Sequence, residues 1–572
     1  MLFKDLKQNL NKDFTGLPVV RLALLGDSAT QFLAKALRGY GYAVGVSLEI
    51  FEADFDQLDQ QILDGQSELY HSHPHFVVVY LATERLWSRF AAVSPAERAG
   101  FADSILGQIK KWWEAIGTHS SASIIQLNFV EVNDAVFGHF AGKTAVSFPY
   151  QLRRLNYELM NRARENSRVF IADVAGLASL VGYVNAHDPR LYATSKVAFA
   201  LDFLPAVAKA ILDIVRACQG KLRKCLVLDL DNTVWGGVIG DDGLENIQVG
   251  ELGIGHAYDA LQRWARQLKQ RGIILAVCSK NEDANARRPF LEHPDMILRL
   301  EDIAVFVANW NNKADNLKQI QATLNIGLDS MVFLDDSAFE RNLVRQLLPE
   351  VTVPELPEDP ALVVPYLCSL NLFETATFSE EDLQRTRQYQ EEAQRRDFQN
   401  SFASLDEYLA SLAMVSSARP FDGFSLPRVA QLVQRSNQFN LRTVRHSEAE
   451  LGRLAQAADH LTIAFQLHDK FGDHGIIGLI ILNLPGDATA FIDTWIMSCR
   501  VLKRGVEEFM VNEMARRAHQ RGVSRLVGEY LPTTKNALVK NLYPQLGFAA
   551  NDGRWLLDLD QFKMLKTFVQ LE

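Results

Sequence analysis

The sequence predicts an α/β protein built from three domains. The chain has 572 residues, of which 48% are hydrophobic. This length exceeds that of an ordinary domain with a single hydrophobic core. Short apolar runs alternate with segments of helical period through the first and second domains, as in βαβ units with parallel sheets. A further set of candidate strands follows a polar connection. We therefore place the domains at residues 1–217, 218–370 and 371–572.

Each domain has its own pattern of apolar runs. In the first, VVRLALLG and FVVVYLA alternate with the helix-period stretch TQFLAKALRGYG. In the second, LVLDLDNT, ILAVCSKN and MVFLDDS are apolar strands that deliver polar residues at their carboxyl ends. A polar helix, EEDLQRTRQYQEEAQRRDF, is predicted to join the third domain, which carries the candidate strands LTIAFQL, GIIGLIIL and ATAFIDTWIM.

Composition excludes several classes of function. The net charge of -10 and the sequence pI near 5.8 argue against nucleic acid as the main partner, since phosphate contacts need clustered Lys and Arg. No apolar stretch has the length of a membrane span or a signal core, so we expect no membrane partner and a cytoplasmic location. The five cysteines are scattered and never at metal-ligand spacing, which indicates neither a disulfide framework nor a zinc site: Cys218, Cys225, Cys278, Cys368 and Cys499.

The segment D-x-D-N-T after the strand LVLDL is the first candidate catalytic block. It places Asp229 and Asp231 two residues apart at the carboxyl edge of a sheet, where α/β proteins have their sites. One carboxylate can attack a phosphorus atom while the other transfers protons. We predict that Asp229 accepts the phosphoryl group, that Asp231 is the general acid and base, and that Thr233 orients Asp231.

Three further blocks follow in the order that this chemistry needs. Ser279, with Lys280 and Asn281, offers a hydroxyl, an amide and backbone N–H groups to a phosphate or substrate. Lys313 in NWNNKADN is a cation suited to offset the charge of the transferring group. Two adjacent acids end the strand MVFL and supply oxygen ligands for Mg²⁺. The predicted metal ligands are Asp229, Asp231, Asp335 and Asp336.

Together the four blocks resemble the four motifs of haloacid-dehalogenase-type (HAD) phosphoryl-transfer enzymes. The resemblance implies a Rossmann-like central domain. The intervals from Thr233 to Ser279 and from Ser279 to Lys313 are too short to contain a sizeable cap domain. An uncapped site suits a bulky or protein-tethered partner, although a neighbouring domain could also serve as its lid.

The continuation DLDNTVWGGVIGDDGLENIQVG resembles the FkbH-like family, as do NWNNKADNLKQI, RVAQLVQRSNQFNLRT, KFGDHGIIGLI and DTWIMSCRVLKRGVE. One departure is Ser337-Ala338, where the family usually has Asn-Pro. The resemblance implies a glyceryl transferase that dephosphorylates a small phosphorylated glycerate, of the 1,3-bisphosphoglycerate type. The glyceryl group would pass to the phosphopantetheine thiol of an acyl carrier protein. The alternatives are a simple HAD phosphatase acting on a small phosphorylated metabolite, and a non-catalytic scaffold that binds carrier proteins.

The end of the chain, NALVKNLYPQLGF, resembles the last helix and strand of GNAT acyltransferases, whose fold holds a pantetheine arm between splayed strands. The resemblance implies that Tyr543 contacts substrate and donates a proton to a leaving thiolate. In the pyrophosphate loop, Lys503 replaces the first Gly of the GNAT pattern, which indicates altered or absent coenzyme A binding. Arg500, with Lys503 and Arg504, could instead meet the phosphate of phosphopantetheine or an acidic carrier helix.

Other polar residues of the third domain are weaker candidates. Cys499 precedes Arg500 and a helix start that would favour its thiolate, so we consider it as an acyl-accepting nucleophile. Asn437 and Asn440 in SNQFN carry amides suited to glyceryl hydroxyls, although turn and cap roles compete. His468 and His474 in LHDKFGDHG could position a general base, but loop histidines are more often incidental.

The first domain has one block typical of SGNH hydrolases. Ser28 follows the first strand in LLGDS, as the nucleophile of that family does. A G-x-N-D block is missing, with only Asn128 in QLNF, and neither Asp173 nor His187 gives D-x-x-H spacing. We therefore expect an SGNH-like or flavodoxin-like fold that serves for docking or as a lid, without hydrolysis.

Overall fold

The computed structural model describes residues 2–378, 387–389, 391, 395, 398, 402, 404–486, 488–533 and 535–572, and of Cys499 the backbone alone. Two compact units are formed, Met1–Ala217 and Cys218–Glu572. The helix predicted between the second and third domains falls largely outside the described residues. Among the helices that the structure describes, none combines the length and the apolarity needed to cross a membrane.

The first unit is built on a parallel sheet of five strands in the order β2-β1-β3-β4-β5. This is the strand order of flavodoxin-like folds, and it confirms the predicted α/β class. Every residue of the central strand β3 is buried, as expected for a parallel sheet covered on both faces. The strands are β1 Val19–Gly26, β2 Ser47–Glu52, β3 Phe76–Tyr80, β4 Ser123–Leu127 and β5 Val169–Ala172. The helices are α1 Phe3–Asn9, α2 Gln31–Ala43, α3 Leu58–Leu63, α4 Glu68–His71, α5 Thr83–Ala92, α6 Phe101–His119, α7 Phe148–Arg164, α8 Val174–Val181, α9 Tyr183–Ala186, α10 Pro189–Ser195 and α11 Leu204–Cys218.

The second unit begins with a parallel sheet of four strands in the order β8-β7-β6-β9. A short irregular segment after β6 is closed by paired backbone hydrogen bonds between Gly236 and Gln248, at 2.9 and 2.8 Å. The stretch from β6 to β7 is described throughout and contains no inserted domain, as the spacing predicts. The strands are β6 Cys225–Leu228, β7 Ile274–Ser279, β8 Ile303–Ala308 and β9 Met331–Leu334. The helices are α12 Ile239–Asp242, α13 Gly255–Gln270, α14 Asp283–Glu292, α15 Lys313–Leu324, α16 Ala338–Leu347 and α17 Val363–Leu370.

The rest of the second unit carries a mixed sheet of eight strands in the order β15-β16-β14-β13-β12-β11-β10-β17. Strands β13 and β14 run parallel and pair only from Thr489 to Phe491, so β13 continues beyond its partner and the two diverge. This splayed pair within an otherwise mostly antiparallel sheet is the arrangement predicted from the GNAT-like end of the chain. The strands are β10 Val415–Arg419, β11 His460–Asp469, β12 Gly472–Asn483, β13 Thr489–Met497, β14 Arg525–Gly528, β15 Ala549–Asn551, β16 Arg554–Asp558 and β17 Gln570–Leu571. The described helices are α18 Leu405–Ser411, α19 Leu426–Arg435, α20 Glu448–Gln456, α21 Val506–Gln520 and α22 Leu542–Gln545.

Candidate active site

Three carboxylates and one lysine meet at the carboxyl edge of the four-stranded sheet. Asp229 directly follows β6 and Asp335 directly follows β9, and these two strands are hydrogen-bonded neighbours. The Lys313 Nζ atom lies 2.8 Å from Asp229 Oδ2 and 2.5 Å from Asp335 Oδ2. All three side chains are buried, whereas Asp336 is exposed. The sheet therefore places a buried cation between two buried carboxylates.

The charge balance of this cluster favours a further cation. Carboxylate oxygens of Asp229, Asp335 and Asp336 lie within 4.8 Å of one another. Burial raises the pKa of Asp229 and of Asp335, and Lys313 opposes both shifts without cancelling them. Burial also opposes the charge on Lys313, but the two carboxylates outweigh it and the lysine pKa is raised. Three crowded oxygen donors with one lysine are the ligand chemistry that hard divalent cations prefer.

Asp231 lies outside that group of carboxylates. Its Oδ1 accepts hydrogen bonds from Trp235 Nε1 and the Ile239 backbone N–H, both at 3.0 Å, and its Oδ2 accepts one from Asn281 Nδ2 at 2.8 Å. A carboxylate offers about four acceptor positions, so one remains for the proton of an acid–base step. The predicted acid–base role keeps a geometric basis, whereas the side chain has no place among the clustered metal ligands.

Thr233 does not make its predicted contact. Its hydroxyl accepts a hydrogen bond from the Asp336 backbone N–H at 3.2 Å, so it fixes the loop of the acidic pair. The side chains that orient Asp231 are instead Trp235 and Asn281. The sequence analysis assigned this role to neither residue. The chain turns sharply at Asn232, whose φ is 51°, and this turn directs Trp235 back towards Asp231.

The block after β7 forms the opposite wall. Ser279 is buried, and its hydroxyl accepts a hydrogen bond from Asn281 Nδ2 at 3.2 Å. Asn281 therefore links Ser279 to Asp231, which makes it a positioning residue in addition to a predicted substrate contact. The Lys280 ammonium instead pairs with Glu340 at 2.6 Å, beside the site.

Arg341 supports the acidic pair and was missed at the sequence level. Its buried guanidinium donates to the backbone oxygens of Asp335 and Asp336, at 2.8 and 2.6 Å, and also pairs with Glu355. The sequence feature that could have indicated this role is a cation six residues after Asp335, on the helix that follows. A cavity of about 420 Å³ adjoins this loop and is lined by Thr233, Tyr258, Asp336, Arg341 and Val363, among others.

The predicted substrate contacts of the third domain are mostly internal. Asn437 donates to the Gly220 carbonyl oxygen at 3.3 Å, and Asn440 is 1% exposed and accepts from the Thr443 N–H at 2.7 Å. Arg500 is buried and donates to Ser498 Oγ at 3.3 Å and to the His474 carbonyl oxygen at 3.4 Å. The three groups are thus engaged within the fold, while Asn437 and Arg500 also line a cavity of about 300 Å³, and their substrate contacts stay predictions. The side chain of Cys499 lies outside the described residues.

The remaining candidates of that domain are also buried or peripheral. Tyr543 is 1% exposed, packed against Trp495 with ring centroids 6.2 Å apart. His474 is buried and its Nε2 lies 3.0 Å from Asp469 Oδ2, which also binds Arg395 at 2.8 Å, whereas His468 is exposed. The buried His474 is thus part of an internal network and not an accessible base.

In the first unit, Ser28 is buried, with its hydroxyl beside that of Tyr80. Asn128 donates to Asp173 Oδ1 at 2.6 Å, and His187 Nδ1 lies 2.9 Å from Glu84 Oε1. The acid paired with His187 thus comes from α5, a position that no local D-x-x-H pattern could reveal.

The parallel sheet with carboxylates and a lysine at its carboxyl edge is the arrangement of a HAD-like domain. Residues 21–216 match the family model described as FkbH, N-terminal domain. A similar solved structure is the N-terminal part of the protein BF1531 from Bacteroides fragilis, described as containing a phosphatase domain complexed with Mg. It is 47% identical with a TM-score of 0.64, and the match covers 66% of this chain and 100% of that one. The chain belongs to the FkbH-like family.

Two further solved structures match part of the chain. The ribosomal-protein-S18-alanine N-acetyltransferase from Escherichia coli is 19% identical over 25% of this chain and 94% of its own, with a TM-score of 0.20. The spermidine N-acetyltransferase from Vibrio cholerae is 14% identical over 26% of this chain and 96% of its own, with a TM-score of 0.21. Because these TM-scores are low, the GNAT-like fold of the third domain is inferred from the splayed strands β13 and β14 described above. A comparison with curated proteins gave no match.

Proposed function

We propose that this protein is a Mg²⁺-dependent phosphatase that acts through an aspartyl phosphate on Asp229 and loads a glyceryl group onto the thiol of an acyl carrier protein. The observation that carries the phosphatase part is the buried arrangement of Lys313 between Asp229 and Asp335. The carrier part is proposed from what the resemblance to the FkbH-like family implies.

The cation site fits magnesium by its donor set. Asp229, Asp335 and Asp336 would hold the ion through carboxylate oxygens. When bound, Mg²⁺ would neutralise phosphate charge and so permit attack by an anionic nucleophile. The relative from Bacteroides fragilis, described as complexed with Mg, supports this proposal.

The protein groups divide the phosphoryl transfer between them. An Asp229 carboxylate oxygen bonds to phosphorus while the bond from phosphorus to the leaving oxygen breaks, and Asp231 gives its proton to that oxygen. Asp231 then takes a proton from water, which attacks the phosphorus and releases Asp229 and inorganic phosphate. Lys313 offsets charge on the transferring group, and Ser279 donates a hydrogen bond to a phosphate oxygen.

The acyl transfer would use a different bond of the same donor. In a 1,3-bisphosphoglycerate-type donor, a carrier thiolate attacks the acyl carbon, forming a thioester and releasing the acyl phosphate as inorganic phosphate. Asp229 removes the remaining phosphate ester. An uncapped site, which the short connections between strands leave, suits a substrate tethered to a protein.

The test is intact-mass spectrometry of a holo carrier protein incubated with this protein, Mg²⁺ and 1,3-bisphosphoglycerate, with phosphate release followed in parallel. We expect a carrier that gains a glyceryl group, and Asp229→Asn should abolish removal of the phosphate ester. Asp241→Asn, an exposed acid beyond the same strand, is the matched control and should behave like the wild type. Phosphate release with an unmodified carrier would indicate the simple phosphatase, and indifference to Asp229→Asn would contradict both enzyme functions.

A further inference from the structure

The third domain contacts the end of the four-stranded sheet that lies opposite the phosphatase site. Both domains belong to the compact unit Cys218–Glu572. The ammonium of Lys224, which directly precedes β6, donates to the carbonyl oxygen of Arg435 at the end of α19, at 3.0 Å. Asn437 of the third domain donates to the carbonyl oxygen of Gly220, at 3.3 Å. Because Gly220 and Lys224 both precede β6, these contacts lie at the amino edge of the sheet.

A second set of contacts lies at the amino end of the neighbouring strand β9. Lys535 of the third domain forms an ion pair with Asp329, two residues before this strand. The Lys224 N–H donates to the carbonyl oxygen of Ser330 at 2.7 Å, so the amino ends of β6 and β9 are adjacent. A cavity of about 300 Å³ beside them is lined by Ser330 from the HAD-like domain and by Met497 and Lys535 from the third domain, among others. The third domain therefore faces the amino ends of both strands.

The phosphatase residues follow the same two strands at their other ends. Asp229 lies directly after β6 and Asp335 directly after β9. The five residue steps from Lys224 to Asp229 cover about 16 Å, since a strand rises by about 3.3 Å per residue. Every residue of β6 and β9 is buried, so the straight line between the two edges runs through close-packed core. A path on the surface must pass around helices about 10 Å across and is therefore roughly 30 Å long.

The arm of a carrier protein is too short for this path. An extended chain covers at most about 3.5 Å per residue, and phosphopantetheine is roughly as long as five residues, so it reaches about 17 Å. A carrier that is docked at the third domain cannot hold its thioester at Asp229. A carrier that is docked at the phosphatase site cannot present its thiol to the third domain.

We infer that the carrier protein visits the two domains in turn, and that a phosphorylated acyl carrier is released between the visits. This inference rests on the proposed function. At the third domain the carrier thiol loses its proton to solvent and attacks the acyl carbon, and the bond from that carbon to the acyl phosphate oxygen breaks, releasing inorganic phosphate. At the phosphatase site Asp229 takes the second phosphoryl group, and the leaving ester oxygen receives the proton of Asp231. The substrate of the phosphatase site is thus a phosphate ester carried on a protein.

The test follows a carrier protein by intact-mass spectrometry in two stages. In the first stage, Asp229→Asn is incubated with holo carrier and 1,3-bisphosphoglycerate, and the carrier should gain a phosphoglyceryl group that keeps its phosphate. This carrier is purified from the variant and the donor and is then mixed with fresh wild-type protein and Mg²⁺. The wild type should remove the phosphate and leave the glyceryl group. Asp241→Asn, the variant of an exposed acid, is the matched control and should form the glyceryl carrier in the first stage.

A chase experiment distinguishes release from direct transfer within one protein molecule. The wild type converts isotope-labelled holo carrier in the presence of excess unlabelled phosphoglyceryl carrier. We expect the labelled carrier to accumulate with its phosphate, because after release it competes with the unlabelled pool for Asp229.

Three outcomes would overturn the inference while the proposed function stands. They are a labelled carrier that loses its phosphate as fast as without the chase, a purified phosphoglyceryl carrier that the wild type leaves intact, and an Asp229→Asn variant that loads no acyl group although the wild type does. A wild type that loads no carrier at all would overturn the proposed function together with the inference.

Discussion

Replacing Lys313 by Met tests the charge balance of the phosphatase site. The lysine ammonium is 3% exposed and lies 2.8 and 2.5 Å from two buried carboxylates. Removing it leaves Asp229 and Asp335 close together in a poorly solvated place without the cation that separates them. Breaking a buried ion pair in this way typically costs about 3–5 kcal/mol, because a buried charge is left uncompensated.

The pH dependence of that loss has a definite sign. Lys313 lowers the pKa of both carboxyl groups, so its removal raises them further above their values in the unfolded chain. A carboxyl group whose pKa is raised by folding destabilises the folded state as pH increases. We therefore expect the loss to be larger at pH 8 than at pH 6, changing by at most about 1.4 kcal/mol per pH unit for each carboxyl that takes up a proton.

Amide exchange of β6 and β9 measures this effect locally, which avoids a global transition in a chain of several domains. Lys318→Met is the control. It removes an exposed ion pair on the same helix, in which Lys318 Nζ lies 3.2 Å from Asp315 Oδ1, and should lower stability by less than about 1 kcal/mol. Adding Mg²⁺ should restore part of the lost stability of Lys313→Met. The reasoning is refuted if both variants lose the same amount, or if Mg²⁺ and pH leave the difference unchanged.

Three further predictions concern residues outside the phosphatase site. Burial raises the pKa of Asp27 to about 6 from 3.8, so the stability of the wild type should fall by up to about 3 kcal/mol between pH 4 and 6. Asp27→Asn should remove this pH dependence from the exchange of the β1 amides, and an equal dependence in wild type and variant would contradict the prediction. Asp469→Asn takes the buried carboxylate from Arg395 and should cost about 3–5 kcal/mol in unfolding of the third domain, whereas a loss below 1 kcal/mol would show the pair to be dispensable. A Cβ on Gly528 would overlap the Tyr543 ring, so Gly528→Ala should lower the free energy of unfolding by about 1–3 kcal/mol. In a double-mutant cycle Tyr543→Leu should restore part of this loss, and additive losses in the double mutant would contradict the prediction.

The predicted fold class is confirmed because its signals are local. An apolar strand such as LVLDL can be recognised from its own residues, and the alternation of strands with helices then implies parallel sheets. The same logic brings Asp229, Ser279 and Asp335 to one edge, since each lies at or directly after the end of a parallel strand and those ends must meet. Their catalytic roles stay predictions, while their proximity is a property of the structure.

What the sequence by itself determined is therefore the family, the fold class and the set of residues at the carboxyl edge of the central sheet. Only the tertiary structure decided which groups touch. Thr233 contacts the loop of Asp336, while Trp235 and Asn281 hold Asp231, and Asn440 pairs with Ile496 of β13. A side-chain contact depends on the direction of a turn and on segments distant in the chain, and neither is written in the spacing of a motif.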